Sequence, residues 1–131
     1  DCLSSRETLD KYQIGFIYDV AAYIKTLEMV KALKAKIFVP AHAAVIEDII
    51  ELAQYNIDKV HEIGEKIVDF CREPLYFEAL LQKLFTAYGL EMNFEQYVLV
   101  GSTVRSYLSW LKDMGRLNAK FENNMLLWEQ S

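Results

Sequence analysis

Cysteine and positive charge are both scarce in this chain, and each shortage removes a class of function. Only Cys2 and Cys71 occur in 131 residues. They lie far apart and form no Cys-x-x-Cys pair, so they supply neither a disulfide framework nor a zinc knuckle, and free thiols in a reducing cytoplasm are the expectation. The 14 Lys and Arg against 19 Asp and Glu leave a net charge of -5 and an isoelectric point near 5.0. That balance repels polyanions and argues against a general binder of nucleic acid or of anionic membranes. No apolar run approaches the roughly 20 residues of a membrane span, and no signal-peptide pattern opens the chain. Internal repeats and low-complexity linkers are absent as well. A soluble, cytoplasmic protein without a membrane partner is expected.

What the chain has in quantity is apolar residues in helical register. At 53% hydrophobic, it can bury a core of about one domain. A polar, tyrosine-containing lead-in runs to Tyr18, and Asp19 can then cap a helix with the apolar face Val20, Ala21, Ile24, Leu27, Val30 and Leu33, ending near Lys34. Lys36 to Val39 reads as a brief buried strand that Pro40 terminates, having no N–H to donate. A much longer pattern follows from Val45 through Ile49, Ala53, Ile57, Val60, Ile63 and Ile67 to Phe70, which amounts to about seven or eight turns.

Glu73-Pro74 breaks that helix. Beyond it, Tyr76, Phe77, Leu80, Leu81, Leu84, Phe85 and Tyr88 form an apolar stripe that closes at Gly89. Asn93 with Gln96 starts a further helix, whose buried face runs from Phe94 through Val104 and Leu108 to Met114 and stops at Gly115. Leu117, Ala119 and Phe121 alternate, Glu122-Asn123-Asn124 offers a turn, and Met125 to Trp128 returns as a strand. Helices followed by a terminal β-hairpin give the order of a winged helix-turn-helix domain. The expected fold is therefore mainly α with a minor β part: long helices with one short strand, then a winged-helix-like domain ending in a hairpin.

The segment Val39-Pro40-Ala41-His42-Ala43-Ala44-Val45-Ile46 resembles the Pro-Gly-His-Gly-Pro-Val-Ile stretch of metallo-β-lactamase-fold hydrolases. Asp1-Cys2-Leu3 is similar to the Gly-Asp-x-Leu segment of the same family, and the course from Leu9 to Leu33 resembles the family's path between those two motifs. The helices and hairpin from Ile57 to Trp128 resemble the winged-helix tail of some bacterial members. The resemblance implies a dinuclear zinc hydrolase acting on a small-molecule ester, thioester, amide or phosphodiester, with His42 as the last metal ligand and Asp1 bridging the metals. It divides the chain into residues 1–43, the end of the metallo-hydrolase domain, and residues 44–131, the connecting helix with the winged-helix-like domain. The family's first ligand cluster, His-x-His-x-Asp-His, is not in this sequence, whose histidines are His42 and His61. A zinc centre needs about three or four protein ligands, so the chain alone is expected to be inactive.

Other polar residues carry plainer expectations. His61 pairs in register with Glu65 on a solvated helix face. Glu47, Asp48 and Glu51 complement a helix amino terminus, and Cys71 is an inert thiol. A DNA-binding role for the winged helix rests on Gln96, Ser102, Arg105, Lys112, Arg116 and Lys120, but Glu95, Asp113 and Glu122 nearly cancel their charge. Protein interaction or substrate gating fits that tail better. Self-association is a third option, because apolar faces that a catalytic domain would cover are free to pair.

Overall fold

The computed structural model describes residues 3–36 and 43–131. Among them are five helices and three strands in the order α1 (Arg6–Tyr12), α2 (Val20–Lys36), α3 (Ala43–Phe70), β1 (Leu75–Tyr76), α4 (Phe77–Ala87), α5 (Phe94–Asp113), β2 (Leu117–Glu122) and β3 (Met125–Gln130). The mainly helical expectation holds, and the lead-in is the first surprise. Instead of a plain loop it contains α1, whose amino terminus is capped by the Ser5 hydroxyl accepting from Thr8 N–H at 3.1 Å. A capping serine satisfies one of the otherwise orphaned N–H groups, which lets even a two-turn helix form.

Asp19 caps α2 as its position suggests, accepting from Ala22 N–H at 3.0 Å. The helix continues to Lys36, so this residue belongs to a helix rather than to a strand, while Ile37 to Val39 lie outside the described residues. Its apolar stripe is only partly covered. Val20 and Leu27 are buried, but Leu33 is 56% exposed. Helical spacing identifies which side chains can share a face, not what covers that face. The same holds at the start of α3, where Val45 is exposed and full burial begins at Ala53.

At 28 residues, α3 is the spine, about 42 Å long at 1.5 Å per residue. Ala53 and Ile57 pack with Leu27 of α2, with Leu3 and Tyr23 beside them. Further along, Val60, Ile63 and Ile67 enter the main core with Ile14 and Ile17 of the lead-in, Val20 of α2, Leu80 and Leu84 of α4, and Val104, Tyr107 and Leu108 of α5. One continuous core thus unites residues on both sides of position 43. Gly64 brings α3 and α5 close together, because a Cβ there would sit 3.0 Å from the Trp110 ring.

Both later helices end as their glycines suggest. Gly89 and Gly115 adopt φ of +63° and +75°. The residues after them fold back, with Leu90 N–H donating to Phe85 C=O and Arg116 N–H to Leu111 C=O, each at 2.8 Å. These are Schellman closures, which need a left-handed residue at the position glycine occupies. Asn93 caps α5 by accepting from Gln96 N–H at 2.8 Å.

The terminal hairpin joins Leu117–Glu122 to Met125–Gln130 antiparallel, with Glu122 facing Met125 across an Asn123-Asn124 turn. Both turn residues have positive φ, 54° and 62°, the conformation of a two-residue turn that follows the strands' own twist and that asparagine tolerates. Unforeseen is β1. Leu75 and Tyr76 pair with Trp128 and Leu127, so the sheet order is β1-β3-β2, with β3 in the middle. A two-residue strand carries too little alternation to be visible as a pattern.

Polar groups fasten the irregular lead-in to the helices. Asn56 is 1% exposed and makes four hydrogen bonds. Its oxygen accepts from Ser4 N–H at 3.0 Å and from the Tyr23 hydroxyl at 3.2 Å, and its amide donates to Ser4 C=O at 2.9 Å and Leu52 C=O at 2.8 Å. Thr103, also buried, accepts from Ile17 N–H at 3.1 Å, and Ser106 donates to Tyr18 C=O at 2.7 Å. Replacing Asn56 with alanine leaves the half-buried Ser4 backbone groups without their partner, so Asn56→Ala is expected to lower unfolding free energy by about 1–3 kcal/mol. Urea denaturation checks this; a loss under about 0.5 kcal/mol means the network is not a strong fastening.

Candidate functional site

Both candidate metal ligands, Asp1 and His42, lie outside the described residues. The residues that flank them are described. Two positions beyond Asp1, Leu3 joins the small cluster with Leu27, Ala53 and Ile57, and Ser4 is bonded to Asn56. Ser5 and Arg6 share a shallow groove of about 310 Å³ with Asp48, Glu51 and Leu52. The segment from Leu3 to Arg6 therefore runs along α3, the helix that begins at Ala43. Among the described residues, no group of three or more His, Cys, Asp and Glu side chains could hold a metal ion. An imidazole and a carboxylate are a donor pair that zinc accepts, but two ligands do not complete its shell.

Three plainer expectations meet different outcomes. Because α3 starts at Ala43, Glu47 and Asp48 stand in its second turn, where the helix dipole has largely faded, so capping does not account for them. His61 is exposed, but Glu65 is taken by another partner. Arg116 grips both Glu65 oxygens at 2.8 and 3.0 Å, and this pair holds the Glu65 carboxyl below its ordinary pKa. The His61 ring instead lies against Trp110, with centroids 5.9 Å apart. Sequence spacing along one helix could not show a competitor arriving from the α5–β2 junction. Cys71 is buried, and desolvation pushes its thiol up to about 11, which is the chemistry of an unreactive cysteine.

The outer surface of α5 bears on recognition. Arg105 stacks on the Phe77 ring at 3.8 Å, Arg116 is held by Glu65, and Lys120 faces Glu122 at 3.8 Å. Three of the cations on which a DNA-binding role would depend thus face groups of this same chain. The exposed side chains nearby are instead apolar: Phe94 is 83% exposed and Val98 51%, with Leu99 and Met92 also open to solvent. Beside them a groove of about 710 Å³ is lined in part by Glu78, Gln82, Met92 and Tyr97. Uncovered apolar side chains ringed by polar ones are the mark of a protein-contact surface more than of a phosphate-binding one.

Sequence reading missed the residues that bind the lead-in, Asn56, Thr103 and Ser106. The first two could have been found, since each interrupts an apolar stripe at a position that the helical period turns inward. Comparison of the chain with family models, with curated proteins and with solved structures gives no match.

The Cys71 environment makes a direct prediction. In native buffer at pH 8 a disulfide reagent should modify Cys71 at least about 100-fold more slowly than a free thiol, with fast reaction restored in denaturant. Ready labelling of Cys71 in the folded chain, located by peptide mass spectrometry, contradicts the buried placement.

Proposed function

We propose that this chain is the carboxyl-terminal part of a metal-dependent, dinuclear zinc hydrolase with the metallo-β-lactamase fold, inactive by itself. The observation that carries the reading is the Val39-Pro40-Ala41-His42 run passing straight into a long helix, preceded at the family's spacing by Asp1-Cys2-Leu3. It gains support from Ser4 and Ser5, which lie against α3, so that the segments following Asp1 and following His42 meet on one helix. In this reading His42 and Asp1 hold zinc together with ligands supplied from before residue 1. The metal, when bound, supplies a water acidified enough to attack an ester, thioester, amide or phosphodiester.

Residues 44–131 act as the tail. The order helix, β1, helix, helix, hairpin, with β3 between β1 and β2, supports a winged-helix-like domain. The exposed Phe94 and Val98 favour substrate gating or protein contact, and a second reading, self-association through the same side chains, rests on the same exposure. DNA binding is the weaker alternative, because Arg105, Arg116 and Lys120 are engaged within the chain.

The test uses the protein extended by the roughly 150–200 residues encoded upstream, about one domain. That extension should contain His-x-His-x-Asp-His, and the purified protein should hold about two zinc ions. His42→Ala should lower zinc content to about one and hydrolysis by at least about 100-fold with an unchanged circular-dichroism spectrum. An upstream region without the histidine cluster, or full zinc retention in the variant, defeats the reading. Light scattering across a concentration series decides self-association, and a gel shift at low salt decides DNA binding.

A further inference from the structure

The terminal sheet keeps one long edge that no strand pairs with among the described residues. Its order is β1-β3-β2, so β3 is enclosed, β1 is two residues long and leads straight into α4, and β2 presents an outer edge of 6 residues. One bond shows which of its backbone groups point outward. Ser131 N–H donates to Arg116 C=O at 3.2 Å, which makes these two a hydrogen-bonded pair of the antiparallel ladder. Such pairs alternate, and the register runs without a break from Leu117 opposite Gln130 to Glu122 opposite Met125. Asn118, Lys120 and Glu122 therefore bond to β3, as the two-residue turn after Glu122 also requires. The N–H and C=O groups of Leu117, Ala119 and Phe121 point the other way, and none of them has a hydrogen-bond partner among the described residues.

Open edges add a further strand readily, and proteins blunt them with proline, a bulge or charge. The strand β2 has neither proline nor bulge, and its cation Lys120 faces Glu122 at 3.8 Å. Phe121 is 75% exposed, and Met114, just before the strand, is exposed too. A second β2 fits this edge in one register. Outward-pointing residues must meet outward-pointing residues, which also keeps like faces together. Centring the pair on Ala119 sets Leu117 opposite the partner's Phe121, Ala119 opposite the partner's Ala119 and Phe121 opposite the partner's Leu117, so every outward group is bonded. On the polar face Asn118 then meets the partner's Lys120, and Glu122 meets the partner's Arg116, an opposite charge. Centring on Lys120 instead sets that cation against the partner's Lys120 and leaves Leu117 over the turn. Centring on Asn118 leaves Phe121 beyond the end of the strand.

We propose that the β2 edge is a dimerisation surface whose occupant is β2 of a second copy of this chain, antiparallel and centred on Ala119, so that the two sheets become one. Backbone hydrogen bonds supply the attraction. Phe121 comes to lie beside the partner's Leu117, three residues from the partner's Met114, and exposed apolar surface is covered. Because each copy uses its one long open edge, the assembly closes at the dimer. The surface involves no candidate metal ligand and neither Phe94 nor Val98, so it stands apart from the hydrolase reading and from association through those two side chains.

Sedimentation velocity of the whole chain across a concentration series reaching about 1 mM tests it. A monomer–dimer equilibrium with a dissociation constant of roughly 1–100 μM is expected, as suits a small interface. Phe121→Glu, at an exposed position, should keep the melting temperature and weaken dimerisation at least about tenfold, because it sets a carboxylate beside the partner's Leu117. Phe94→Glu should leave the constant unchanged. Amide hydrogen exchange at Ala119 and Phe121 should slow at least about tenfold between dilute and concentrated samples, with no change at Val98. A chain that stays monomeric to about 1 mM overturns the proposal and leaves the edge to an extended segment of a different protein. Dimerisation that survives Phe121→Glu unweakened, or that leaves the Ala119 and Phe121 amides as fast as in the monomer, overturns it as well.

Discussion

The fold depends on giving hydrogen-bond partners to backbone that is neither helix nor strand yet runs against the core. Residues 13 to 19 lie between two helices, and two of them, Ile14 and Ile17, are buried in the main core with Val20, the residue that follows. A buried peptide group without a partner costs about as much as a lost hydrogen bond. Side chains of other elements therefore serve as the partners. Asn56 takes both backbone groups of Ser4, Thr103 takes the N–H of Ile17, and Ser106 reaches the carbonyl of Tyr18. Apolar burial brings the lead-in to α3 and α5, and these polar side chains fix the register in which it settles.

That division of labour explains which parts of the architecture could be read in advance. Long helices declare themselves through apolar spacing, and their ends through Asp19, Gly89, Asn93 and Gly115, whose capping and left-handed geometries are local matters. The hairpin is equally local, since alternation and two asparagines define it. Apart from α1, whose cap is local, what escaped depended on partners distant in sequence. The strand β1 exists only because Trp128 and Leu127 come back beside it. The Glu65–Arg116 pair spans 51 positions and takes the hydrogen bonds of Glu65, leaving the His61 that helix spacing suggested to act on it through charge alone. The exposure of Leu33 and Val45 is a statement about neighbours, which no periodicity contains. For the candidate site, residue types and spacing were legible and geometry was not, because metal coordination is a property of several segments brought together.

The two faces of the tail differ in character. Toward α3, α5 is densely apolar and closed. The guanidinium of Arg105 lies over an aromatic ring, and Arg116 and Lys120 face carboxylates. Four apolar residues left in solvent, Met92, Phe94, Val98 and Leu99, lie where α4 gives way to α5, while Met114, Phe121 and Met125 are exposed elsewhere on the tail. Such a surface gains by covering carbon rather than by neutralising phosphate, so its associations should vary little with ionic strength.

The approach of α3 to α5 at Gly64 carries a further consequence. Because glycine leaves the helix surface bare, the Trp110 indole settles against it, with His61 and Tyr107 as ring neighbours at 5.9 and 6.2 Å. The chain's other indole, Trp128, is buried in the sheet. One fluorophore therefore reports from the interhelical seam and the other from the central strand. The emission of Trp110 is a built-in optical gauge of how closely the two longest helices lie, and replacing Trp128 by phenylalanine would leave that gauge to be read by itself.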